Sequence, residues 1–228
     1  MYWFSLDNER CDRNGIIVNK RSSERAPAMK YSRASSNYLD GAFFTNYGTF
    51  ETVEKSFECN FVEENPDKWH EHWRYVKRWL LRDHDKIRYS DDSGVFRKVL
   101  HTSISENERE IEETGNFTIT FILSPYEYYD KGLIRHSVQD CGYNIYSLSH
   151  PVYILTGNNP VLTVNGSEFR VFRNGTTYVD TDLMLCYDEN KNKVQSSGYF
   201  EDLYLIEGVN DISVNTGTIS IIPNWRSI

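Results

Sequence analysis

Along most of this chain apolar and polar positions alternate with a period of two, and only one stretch breaks into a helical period. Trp69, Trp73, Val76 and Leu80 recur at i, i+4, i+7 and i+11, which places them on one stripe of a helix. Arg74, Lys77, Arg78 and Arg82 take the other faces. Asn65-Pro66-Asp67 reads as the start: Asn can cap, Pro suits the first helical position, and Asp favours the positive helix end. The stripe fails near Asp83-His84-Asp85, so the pattern predicts a helix over roughly 66–82.

Strands are predicted at Thr49–Val62, Lys86–Tyr89, Val95–Ser105 and Phe117–Leu123, all rich in β-branched and aromatic residues. Ser124-Pro125-Tyr126 is expected to end this series. Ser22–Asp40 differs. It is polar, dotted with Ser and Arg, and poor in apolar anchors, so it reads as a long loop or arm, which in a compact domain is functional or mobile. Beyond a joint at Asp130-Lys131-Gly132, turn signals recur at short spacing with no helical stripe. Asn165-Gly166, between Val161–Val164 and Phe169–Phe172, predicts a two-residue hairpin because a type I′ turn needs positive φ at both central residues. Short strands with such turns describe an antiparallel sandwich or jelly roll.

Charge sharpens the division. Residues 1–130 hold 18 basic and 23 acidic side chains, whereas residues 131–228 hold only 7 and 10. Two domains are therefore expected, 1–130 and 131–228. An aromatic fraction of 14% supplies ample core, and the net charge of −8 argues against a domain built to grip phosphate backbones. The N-terminal run Met-Tyr-Trp-Phe-Ser-Leu-Asp lacks a basic segment followed by an apolar stretch, and no apolar window approaches the ~20 residues of a membrane helix. Synthesis in a cytoplasm and no membrane partner are the expectations. Cys11, Cys59, Cys141 and Cys186 lie far apart and read as small buried hydrophobes in a reducing compartment.

Candidate chemistry is sparse. His70-Glu71-His72 with His84 invites a metal, but i and i+2 of a helix point about 200° apart; solvated histidines are expected instead. Glu106, Glu108, Glu110 and Glu112 alternate along an expected strand, and such a self-repelling run fits a solvated hairpin tip or edge better than a catalytic pair with one desolvated member. Asp180, Asp182 and Asp188 lack the ligand spacing of a calcium loop. Tyr143, Tyr146, Tyr153 and Tyr178 could form a sugar-stacking platform, although alternating strand tyrosines are more often core or interface. No nucleophile elbow, Walker loop or dinucleotide fingerprint occurs. No catalytic residue, metal or cofactor is expected, and the chain is read as a non-enzyme.

In their order, several pieces resemble the siphophage distal tail protein family of phages with Gram-positive hosts. They are Asp40-Gly41-Ala42 after the polar arm, Tyr47-Gly48 opening a long strand through Phe61, the helix ending Arg78-Trp79-Leu80, and Lys86–Asp92. Further on come Gly198–Leu203, Glu207–Ile212 and the closing Pro223-Asn224-Trp225-Arg226. Tyr38-Leu39 stands where relatives often carry Gly-Arg. The resemblance implies a mainly β protein: an N-terminal, ring-forming, tail-tube-like β domain with one α-helix and an extended arm, then a galectin-like antiparallel β-sandwich. It implies a virion protein at the distal tail tip, in which a hexameric ring joins the tail tube protein to the tail-associated hub or lysin protein. Receptor-binding or baseplate proteins dock on such a ring, and DNA passes through it without specific binding. Within that frame Arg25, Lys30, Arg33, Asp40 and Gly41 are the candidate assembly-arm residues. The alternatives are a carbohydrate-binding β-sandwich protein attached to the tail or the cell surface, and a glycan hydrolase using Glu106–Glu112.

Overall fold

The computed structural model describes residues 2–23, 25–38, 40–105, 108–111 and 113–228, with the backbone alone given for 108–111. The chain divides into two units, one reaching Glu127 and including Ile228, the other Tyr128–Ser227. The division falls just before the joint expected at 130/131.

The first unit contains β1 (Phe4–Leu6), β2 (Glu9–Arg10), β3 (Ile17–Lys20), β4 (Met29–Ala34), β5 (Phe43–Phe50), β6 (Val53–Val62), α1 (Trp69–Leu80), β7 (Lys86–Tyr89), β8 (Asp92–Ile104), β9 (Glu108–Ile111) and β10 (Thr114–Tyr129). Its main sheet runs β2-β1-β7-β8-β10-β6-β3, with β9 also on β10. β6 and β10 are antiparallel from Thr114↔Val62 to Leu123↔Val53. Because side chains alternate across a strand, Phe57, Cys59 and Phe61 of β6 and Phe117, Ile119 and Phe121 of β10 all point into one core.

α1 covers that core. Asn65 caps the entry, its side-chain oxygen accepting from the Asp67 N–H at 3.0 Å, and a short 3-10 turn at Pro66–Lys68 leads into the helix. The buried face is wider than the expected line: Trp69, Val76, Trp79 and Leu80 are buried, while Trp73 is half-buried, stacked on Phe61 at 5.8 Å. A core-facing helix presents a stripe more than about 100° wide, which admits Trp79 and His72 beside the four expected positions.

The strand series does not end at Ser124-Pro125-Tyr126; β10 continues to Tyr129. Pro lacks an N–H, but the β6 partner stops at Val53 opposite Leu123, so no ladder bond on that side is lost. The freed carbonyls of Ser124 and Pro125 accept from the Arg97 guanidinium, which also meets Glu127 at 2.6 Å.

The second unit contains α2 (Val138–Cys141), β11 (Tyr143–Asn144), β12 (Val152–Asn158), β13 (Val161–Val164), β14 (Ser167–Val171), β15 (Asn174–Asp180), β16 (Leu185–Asp188), β17 (Ser196–Ser197), β18 (Gly208–Val209), β19 (Ile212–Val214) and β20 (Thr218–Ile222). Two four-stranded antiparallel sheets, β16-β15-β12-β20 and β17-β14-β13-β19, share one core. Tyr153, Leu155, Val179 and Ile221 enter it from the first sheet, and Leu162, Val164, Phe169 and Val171 from the second. The β13–β14 hairpin closes through Asn165 at φ 49° and Gly166 at φ 88°, the type I′ geometry its sequence calls for. A second tight corner depends on Gly217, at φ 87°, where a Cβ would clash with the Thr156 carbonyl oxygen.

All four cysteines are free and buried. Burial pushes the Cys11 and Cys186 thiols up to about 11 and that of Cys141 to about 12, and it raises Cys59 as well. The thiolate is the reactive form, so the native protein is expected to resist iodoacetamide at pH 8 and to take up four labels once unfolded in denaturant. Mass measurement of the intact chain reads both states, and rapid native labelling would contradict the burial.

Candidate assembly surface

Within the segment expected as a long loop or arm over Ser22–Asp40, Met29–Ala34 forms a strand. β4 pairs antiparallel with β5, with Arg33 opposite Phe44 and Ser32 opposite Thr45, as a two-stranded sheet of its own. Its polar composition misled because neither face packs on the core, so the usual apolar alternation was never required. Between Tyr31↔Asn46 and Met29↔Phe50 the β5 side carries extra residues that include Gly48 at φ 69°. Tyr47-Gly48 therefore forms a bulge within a strand rather than opening one, and the chain breaks at Glu51-Thr52 before β6 begins.

Every residue of β4 is exposed, as is every residue of β5 except Phe50. Tyr31, Phe43, Phe44 and Tyr47 are each roughly 60% exposed. Tyr31 and Phe44 lie 5.4 Å apart across one face, with the Arg33 guanidinium 5.9 Å from the Phe44 ring. At the base, Phe50 meets Tyr126 edge-on at 6.1 Å. An isolated two-stranded hairpin is marginal in water, and one displaying aromatics on its surface has the chemistry of an interface awaiting its other half.

Of the five candidate arm residues, Lys30 and Arg33 lie on β4 itself. Asp40 and Gly41 lie in the connection to β5, where Gly41 sits at φ 92°, and Arg25 is exposed ahead of β4. The structure thus brings Arg33 against the Phe44 ring, while Lys30 alternates to the other face of β4. What sequence reasoning missed was the aromatic set; its signal was Phe43-Phe44-Thr45-Asn46-Tyr47, in which four of five residues favour strands and no second apolar segment covers them.

The other candidate groups scatter or turn inward. His70 is exposed, but His72 and His84 are not the solvated side chains expected. His72 is half-buried, its ring 4.9 Å from Phe61 and 3.0 Å from Glu63, whose carboxyl it holds below the usual carboxylate range. His84 is buried, with one ring nitrogen 3.0 Å from Asp7 and the other 2.8 Å from the Trp79 carbonyl oxygen. Among the described residues no three His, Cys, Asp or Glu side chains are placed to hold a metal ion. The carboxylates of Glu106, Glu108, Glu110 and Glu112 lie outside the described residues. The four tyrosines do not form one platform: Tyr153 is fully buried and donates to the Leu203 carbonyl, Tyr146 packs on Tyr129 and Trp225, Tyr178 stacks on Tyr187, and Tyr143 is exposed. Asp180 and Asp188 accept from the backbone N–H groups of their own turns, which spends the oxygens a calcium loop would need. Among the described residues no helix is long and apolar enough to cross a membrane.

A mainly β chain of two units, with the first sheet covered by one long helix among the described residues and extended by an uncovered hairpin, is an architecture also found in a solved structure. The particular likeness is to the Dit protein of phage SPP1, whose crystal structure is described as a paradigm of the hub adsorption apparatus in phages that infect Gram-positive bacteria. The TM-score is 0.71 at 12% identity, over 100% of this chain and 98% of that one. No protein-family model matches the sequence, and no curated protein matches it.

Proposed function

We propose that this chain is the structural subunit of a distal phage tail, closing with copies of itself into a hexameric ring that joins the tail tube to the tail-associated hub and offers docking for adsorption proteins. The observation that carries the reading is the end-to-end fold likeness to a hub adsorption protein, which extends over both units. The β4–β5 hairpin supplies a physical means, since a ring needs head-to-tail contacts that close and an exposed hairpin meets a neighbour through its faces and edges. The net charge of −8 suits a tube that DNA must traverse without sticking. In this reading the protein is a virion component of the tail tip, made in the host cytoplasm, and catalysis plays no part. The second unit is the galectin-like docking module, and the first makes the ring contacts.

Sedimentation across a wide concentration range, with negative-stain imaging of the heaviest species, tests the ring. Six-fold rings growing with concentration are the expected result. A monomer at every concentration, able to bind glycan, would instead favour a free-standing lectin.

A further inference from the structure

The segment Pro223-Asn224-Trp225-Arg226 is strapped down inside the second unit by titratable side chains that the proposed assembly does not use. Arg226 is almost wholly buried. Its Nε–H donates to the Leu148 carbonyl at 2.7 Å, and a terminal guanidinium nitrogen lies 3.0 Å from His150 Nε2. The Asn224 side-chain amide donates to the His150 carbonyl at 2.8 Å. Between them Trp225 packs on His136 and Tyr146, and it passes so close to Gly132 that a Cβ there would clash with the Trp225 nitrogen.

Hydrogen-bond chemistry fixes the charge of the His150 ring in this arrangement. A guanidinium has donors only, so Nε2 accepts and carries no proton. The ring proton then sits on Nδ1, donated to the Asp182 carboxylate at 3.0 Å. The imidazole is neutral for as long as Arg226 is in place. Tyr204 completes the surroundings, its ring stacked on His150 at 4.2 Å, with the charge of Glu201 acting on it. Burial, ahead of that charge, pushes the Tyr204 phenol up, so it stays neutral where a histidine titrates. Asp180 turns its carboxylate to the N–H groups of Asp182 and Leu183.

These neighbours respond differently to a second proton on the ring. The Asp182 carboxylate and the Tyr204 face both favour an imidazolium. Arg226 opposes it, because a protonated Nε2 offers the guanidinium no acceptor and sets two cations against each other. The ring keeps its seat and the arginine has to move. We infer that His150 and Arg226 form an acid-released clasp, in which protonation of His150 expels the Arg226 side chain and loosens residues 223–226 from residues 148–150. The fastened form holds the neutral ring and the loosened form is free to take the proton. Lowering the pH therefore favours loosening, by up to about tenfold per pH unit for one proton. The clasp lies within one subunit and does not depend on the ring proposed above.

Three amides report the strap: the Asn224 N–H bonds the Gly132 carbonyl, and the Tyr129 and Ser147 N–H groups bond the carbonyls of Trp225 and Arg226. Their hydrogen exchange is followed by mass spectrometry in the parent chain and in His150→Gln, compared at the same pH so that intrinsic rates cancel. Gln offers Arg226 an acceptor that takes no proton. At about pH 7.5 the two proteins are expected to protect these amides alike, and at about pH 5.5 the parent is expected to exchange them roughly tenfold faster. Arg226→Gln, which removes the cation that an imidazolium repels, is expected to lack the acid loss. Equal protection of the parent and His150→Gln at the lower pH overturns the clasp, as does an acid loss that persists in Arg226→Gln. A difference between parent and His150→Gln that is the same at both pH values reflects packing alone and also overturns it. So does an acid loss shared by the core-strand amides of Leu155 and Val179, which is unfolding of the whole unit.

Discussion

Replacing Phe43, Phe44 and Tyr47 together with Ser is expected to abolish self-association while leaving each subunit folded. Burying a large apolar side chain is worth about 1.5–3 kcal/mol, so three such anchors raise the dissociation constant by roughly a thousandfold or more. All three are exposed on a hairpin that contributes nothing to the first unit's core, so thermal unfolding should stay within a few degrees of the parent. Sedimentation and melting of the same preparation separate the two effects. Loss of the fold would show that the hairpin supports its own unit, and rings that survive would remove it from assembly. A simple deletion of 24–36 is a poorer probe, because it removes β4 and leaves β5 unpaired.

The second large effect belongs to Trp79. Its ring is buried against Phe4 at 6.4 Å, and its N–H donates to Glu9 at 2.7 Å, tying the end of α1 to β2. The same Glu9 carboxylate meets Arg82 at 2.7 Å, and the Arg82 hydrogen bond followed by that of Trp79 holds it below its ordinary range. Trp79→Ala is expected to destabilise the first unit by about 3–5 kcal/mol through cavity formation. Trp73→Ala should cost less, because that ring is half-buried, and His72→Ala should cost more than the ~0.5 kcal/mol typical of a surface site. Urea unfolding of the three variants ranks them. Equal midpoints for Trp73→Ala and Trp79→Ala would show that both rings share the core equally.

These particulars mark how far the sequence could be read. The helix was legible because Asn65-Pro66 and a repeating apolar stripe are local signals, and β7 was legible because strand and turn residues bound it closely. Trp79 fell outside a stripe drawn as a line when the true contact is a band. The Pro125 crossing depended on where β6 stops, a fact of pairing that no local pattern carries. The hairpin was hidden for a different reason: period-two alternation records burial of one face, and β4 and β5 bury neither.

An uncovered hairpin also sets terms for how the subunit must be supplied. Among the described residues no third strand pairs with its outer edges, and it displays aromatic side chains, the usual template for indiscriminate strand addition. Lys30 and Arg33 on β4 act as charged gatekeepers against that reaction. They slow mispairing without removing the template, so a subunit waiting without neighbours is at risk in proportion to its concentration and waiting time. In the proposed tail role, synthesis would have to be matched to consumption by assembly. Overproduction of the lone chain is expected to yield inclusion material unless the hairpin's aromatics are first made polar.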